Sequence, residues 1–105
     1  MKTYKKTYKF YADPGHGWVA VKLLELMQLG IITQISSYSY MKGNTAYLEE
    51  DCDAALFFNA YKDMHGIEPK HTYNHKDSRS PIRSYDSYNK NKAVDFALAQ
   101  LKGTA

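Results

Sequence analysis

A single cysteine, Cys52, stands among 105 residues, which rules out an internal disulfide and suits a reducing compartment. With no paired-cysteine motif, a structural zinc site built on thiolates is also excluded. Prolines number three and are scattered, so no proline-rich linker divides the chain. There is no apolar run of the roughly 20 residues needed to span a bilayer. The basic start, Met1-Lys2-Thr3-Tyr4-Lys5-Lys6, is not followed by the apolar stretch of a secretory leader. Internal repeats and low-complexity tracts are absent. These features together point to a cytoplasmic protein that does not engage a membrane.

What is present is ordinary globular composition with one excess. Hydrophobic residues make up 44% and charged residues 24%, enough for a core and too apolar for a disordered chain. At this length there is one core and one domain, residues 1–105. The excess is tyrosine: ten, beside four Phe and one Trp. A tyrosine ring fills a core while its hydroxyl stays at the edge, so it serves packing and binding surfaces equally. The net charge of +3 permits an acidic partner without requiring one.

Residues 3–12 alternate, with Tyr4, Tyr8, Phe10 and Ala12 on one parity and Lys5, Thr7 and Lys9 on the other, the period of a half-buried strand. Asp13-Pro14-Gly15-His16-Gly17 is a turn, and Trp18–Val21 resumes an extended run, giving a hairpin. Lys22–Leu29 carries Leu23, Leu26 and Met27 at helical spacing, ended by Gly30 with apolar Ile31 beyond it. Ile32–Tyr40 is β-prone, Met41-Lys42-Gly43-Asn44 turns, and Thr45–Leu48 returns as a second hairpin. Ala54, Phe57, Phe58 and Tyr61 mark the clearest helix, stopped by Gly66. Ile67–Tyr73 is a further strand that Pro69 places at an edge. Residues 74–91 form a polar loop, and a last helix covers 92–102. The expected fold is α+β: an antiparallel sheet of about five strands with two to three helices packed on one face.

Glu49, Glu50, Asp51 and Asp53 precede the central helix. Asp51 or Asp53 can cap it, and acids in a first turn favour the positive end of the helix dipole. Cys52 at the same helix start is expected to be a buried, inert thiol, since neighbouring carboxylates disfavour the thiolate. His71-Thr72-Tyr73-Asn74-His75 would place both histidines on one side only in a helix, which Pro69 argues against. No metal, no cofactor and no catalytic residue is expected. The segment Lys70–Lys92 is the most suggestive surface: Lys76, Arg79 and Arg83 interleave with His71, His75 and Tyr85. Arginine forks grip phosphate or carboxylate, and aromatic rings stack on bases. With Lys2, Lys5, Lys6 and Lys9 they would form one basic face if the fold gathers them. The candidate binding residues are Arg79, Arg83, Tyr85, His71, His75, Lys76, His16 and Trp18.

Two resemblances bear on these residues. Asp13–Gly17 resembles the Asp-Pro-Gly-His-Gly of zinc-dependent N-acetylmuramoyl amidases, which would make His16 a zinc ligand. That architecture also needs a downstream glutamate, a second histidine and a larger α/β domain. Trp18 stands where a small residue is expected, so the expectation is a hairpin turn with His16 exposed and Trp18 anchored in the core. The second resemblance is carried by Phe10–Val21, Leu29-Gly30-Ile31, Ser37-Tyr38-Ser39-Tyr40 and Ala46–Asp53. Together these resemble a group of small proteins encoded by bacteriophages and prophages. That resemblance implies a non-enzymatic accessory protein that binds a host or defence component, such as an anti-defence inhibitor. Two alternatives stand beside it: a module that binds or sequesters a nucleotide or cyclic dinucleotide, as an oligomer with a shared pocket, and a nucleic-acid-binding protein.

Overall fold

The computed structural model describes residues 6–103. In chain order the elements are β1 (Thr7–Ala12), β2 (Gly17–Lys22), α1 (Leu23–Gln28), β3 (Tyr40–Lys42), β4 (Thr45–Glu49), α2 (Asp53–His65), β5 (Lys70–His75), a 3₁₀ turn (Pro81–Ser84), β6 (Asp86–Ser87) and α3 (Lys90–Gly103). The α+β class and the single core hold. The expected positions of Thr3, Tyr4 and Lys5 in the first strand, and of Lys2 and Lys5 on a basic face, lie outside the described residues.

Among the described residues the sheet has six strands in the order β5-β1-β2-β4-β3-β6. It is mixed rather than antiparallel, because β5 joins the edge parallel to β1 with Tyr8 opposite His71 and Ala12 opposite His75. A parallel partner needs a long crossover, and everything from β2 to α2 lies between the two strands.

Alternation decides which face is buried. Tyr8 on β1, Val19 and Val21 on β2, Ala46 and Leu48 on β4 and Met41 on β3 point to one side. There they pack with Leu23 and Leu26 of α1, Ala54, Phe57 and Tyr61 of α2, and Ala93 and Ala97 of α3. All three helices therefore cover this face. Tyr8 meets Phe57 and Tyr61 edge-on, the preferred arrangement of aromatic pairs.

The glycine stops act as the spacing predicts. Gly30 and Gly66 sit at φ 78° and 77°, where a side chain would be strained, and Gly66 N–H donates to the Lys62 carbonyl at 2.8 Å. Gly43 at φ 59° opens a two-residue turn, since Lys42 pairs directly with Thr45.

Four expectations change. Only Tyr40 of the Ile32–Tyr40 stretch is in a strand, as the first residue of β3; residues 32–39 are turns and irregular chain bound to Asp53, which accepts from Ser36 N, Ser36 Oγ and Ser39 Oγ. Asp53 is thus buried in loop binding, and the helix cap position falls on Cys52, whose side chain makes no capping bond. Residues 74–91 are not a loose polar loop. They hold the end of β5, the 3₁₀ turn and β6, and they bury Ser80, Ile82 and Tyr88. The last helix starts at Lys90 because Asn89 Oδ1 accepts from Lys92 N at 3.0 Å.

Candidate functional site

The face opposite the helices is only partly covered. Strand pairing sets its rows: Tyr11 beside Trp18 beside Glu49, then Lys9 beside Ala20 beside Tyr47 beside Tyr40, then Lys22 beside Thr45 beside Lys42. Residues 80–85 cross one end of this face. Ser80 N donates to Asp13 Oδ2 at 2.8 Å, and Arg83 crosses over Trp18 with its guanidinium carbon 5.8 Å from the ring. Trp18 is consequently 1% exposed although it lies on the helix-free side.

Beyond that strap the face is open and both aromatic and basic. The Tyr11 and Tyr47 rings are 6.3 Å apart, and Tyr47 and Tyr85 are 5.1 Å apart. Lys42 Nζ sits 4.8 Å over the Tyr85 ring, a cation–π contact. Lys9 and Lys22 are exposed on the same side. Two cavities flank the tyrosines, of about 350 and 380 Å³, and both are lined by Tyr11 and Tyr47. Lys9, Lys22 and Thr45 close the first; Lys76, Pro81 and Tyr85 close the second. Burial and the nearby Tyr85 and Tyr11 raise the Tyr47 pKa, so its hydroxyl stays a neutral hydrogen-bonding group.

A third cavity of about 430 Å³ lies past the strap, lined by His16, Trp18, Tyr38, Tyr40, Glu49, Asp51, Cys52 and Arg83. His16 Nδ1 is 3.3 Å from Glu49 Oε2. Cys52 is exposed rather than buried. Partial desolvation raises its pKa, with Asp53 and Glu49 adding to the rise, so the thiol stays protonated as the carboxylate-rich setting predicts.

The residues singled out in the sequence do not form one site. Arg83 turns inward: its Nε and Nη2 donate to Asp13 Oδ2 and Oδ1 at 2.7 and 2.9 Å. The Arg83 contact holds the Asp13 carboxyl far below the usual carboxylate range. Arg79 is exposed and donates to Ser84 Oγ at 3.2 Å. His71 and His75 lie on the edge strand β5, on the helix side, where His71 meets Phe10 and Phe58 and His75 stacks with Tyr73. Lys76 and Tyr85 do reach the open face, at the second cavity, whose rim also includes His75. His16 is exposed and Trp18 buried, as the turn reading expects, at the third cavity.

Sequence reasoning passed over Tyr11, Tyr47, Lys22 and Lys42. Their signal was available: Tyr11 shares the parity of Lys9, and Tyr47 alternates with buried Ala46 and Leu48. Comparison with known proteins adds no relative, since no family model, curated protein or solved structure matches the chain.

Proposed function

We propose that the protein is a non-catalytic binding domain that holds single-stranded nucleic acid on the open face of its sheet. The observation that carries this reading is the run Tyr11–Tyr47–Tyr85 with Lys9, Lys22 and Lys42 around it. Every base has a π-face that stacks on an aromatic ring, and lysines follow the phosphate backbone without demanding a sequence. The two cavities on either side of Tyr11 and Tyr47 offer room for unstacked bases. The mild positive charge of the chain agrees with an anionic ligand.

Fluorescence anisotropy with labelled single-stranded DNA and RNA tests this. Binding at low salt should weaken steeply between about 50 and 200 mM salt. Tyr47→Ala should lower affinity about 5- to 100-fold, as loss of one stacked base does. An absence of binding at low salt, or full affinity in a Tyr11→Ala/Tyr47→Ala double variant, would remove the proposal.

A second reading is favoured by β5. Lys70–His75 is exposed along its whole length and, among the described residues, pairs only with β1, which leaves its other edge for a partner's strand. That suits the host- or defence-protein partner implied by the resemblance to phage-encoded proteins. A Tyr73→Pro variant, which removes an N–H from the outer edge, that still captured the same host protein would argue against strand addition.

A further inference from the structure

We propose that the β1–β2 turn and the turn between β4 and α2 together form a site for a divalent transition-metal ion of the zinc type, held by His16, Glu49 and Asp51. One ligand atom from each lies within 4.8 Å of the other two. Tetrahedral bonds of about 2.0–2.2 Å hold two ligand atoms about 3.3–3.6 Å apart, so side-chain rotations that move the donors by about 1 Å close this set. One imidazole and two carboxylates leave further coordination positions to water or to an incoming ligand.

The donors are held by backbone rather than displayed on free surface. Asp13 Oδ1 accepts from Gly15 N and His16 N at 3.0 Å each, and Asp13 N donates to the His16 carbonyl at 2.9 Å. Glu50 N donates to the Gly17 carbonyl at 2.9 Å, which joins the two turns. Asp51 N donates to Glu49 Oε1 at 2.8 Å, setting the second and third ligands relative to each other. Glu49 itself is buried and faces His16, so the metal would replace an existing contact without rebuilding the turn.

An independent observation concerns Trp18, which lines the same cavity. Its Nε1 is buried with no acceptor among the described residues. A buried N–H without a partner is costly, and once the side chains that cover it shift, a metal-bound water or the oxygen of a bound anion in this cavity would supply the missing acceptor. The nitrogen ligand selects the ion class. Imidazole suits zinc, copper, iron and nickel better than calcium or magnesium, which take oxygen throughout. The ligand set is not that of the amidases, since Glu49 ends β4 and Asp51 lies in the turn directly after it.

The full chain, stripped with chelator and titrated with zinc chloride by calorimetry and thermal shift, tests the site. Expected are one ion per chain, a raised Tm, and no comparable response to magnesium or calcium. His16→Ala and Asp51→Asn, both at exposed positions that should leave the fold intact by circular dichroism, should each weaken zinc at least tenfold. A His71→Gln/His75→Gln variant should bind zinc as the wild type does. No zinc heat, unchanged affinity in His16→Ala and Asp51→Asn, or loss of binding in the His71/His75 variant would each overturn the proposal.

Discussion

Asp13 lies at the junction of the β1–β2 turn and the strap, accepting from Gly15, His16, Ser80 and Arg83. Because its folded pKa is depressed, chiefly by Arg83, its contribution to stability is whole above the unfolded-state value of about 4. That contribution declines as pH falls below it and vanishes once pH passes the folded value. Asp13→Asn should therefore unfold at lower urea than the wild type at neutral pH, with the gap narrowing as the solution is acidified below about pH 4. A gap that stays constant across that range would mean the charge of Asp13 is not its source. The sequence placed Asp13 in a turn through Pro14, Gly15 and Gly17. The distant guanidinium that completes the arrangement was not legible, because nothing local in Arg83 says that it folds inward. For the same reason Arg83 read as a ligand grip when it is a brace over Trp18.

Among the elements, those with local causes were readable and those with remote causes were not. Helix α2 shows its period in Phe57 and Tyr61 and its end in Gly66, and the chain follows both. The 32–40 stretch has β-prone residues, but Ser36 and Ser39 bind the Asp53 carboxylate, and that side-chain chemistry outweighs the propensity of Ile32 and Ile35. Helix α3 begins two residues before its apolar period suggests because Asn89 caps it. Asn89→Ala should cost about 0.5–2 kcal/mol. Chemical denaturation reads this directly, and amide exchange should quicken at Lys92, whose N–H loses its acceptor. An unchanged midpoint would show that packing of Ala93 and Ala97 alone sets the helix start. The parallel pairing of β1 with β5 had no local signal either, since the two strands become neighbours only after α2 has turned the chain back.

At the scale of the molecule, the sheet separates a packed side from an open one. One side is closed by three helices around Phe57 and Tyr61, and the other presents tyrosines and lysines. The α+β class and the helix-bearing side were legible from alternation and helical period. The open face was legible only in part: the Lys9 parity was visible, but its union with Lys22, Lys42, Tyr47 and Tyr85 depends on strand order, which alternation does not determine. The aromatic-basic character expected of Lys70–Lys92 does exist in the protein, mostly on different residues.

β5 and β6 are the two outermost strands, and the chain from one to the other runs through residues 76–85 on the helix-free side. Five interstrand spacings of roughly 4.8 Å make that journey about 24 Å, while ten residues drawn straight reach only about 33–36 Å. A 3₁₀ turn takes up much of the difference. The strap is therefore nearly taut, and its length is matched to the width of the sheet. Removing Asp77 and Ser78 should lower Tm and quench-expose Trp18 to added iodide, whereas two glycines inserted at Gly43–Asn44 should do neither. A belt with so little slack makes the breadth of the sheet a fixed dimension of this protein, one that can gain or lose a strand only by rewriting the segment that fastens it.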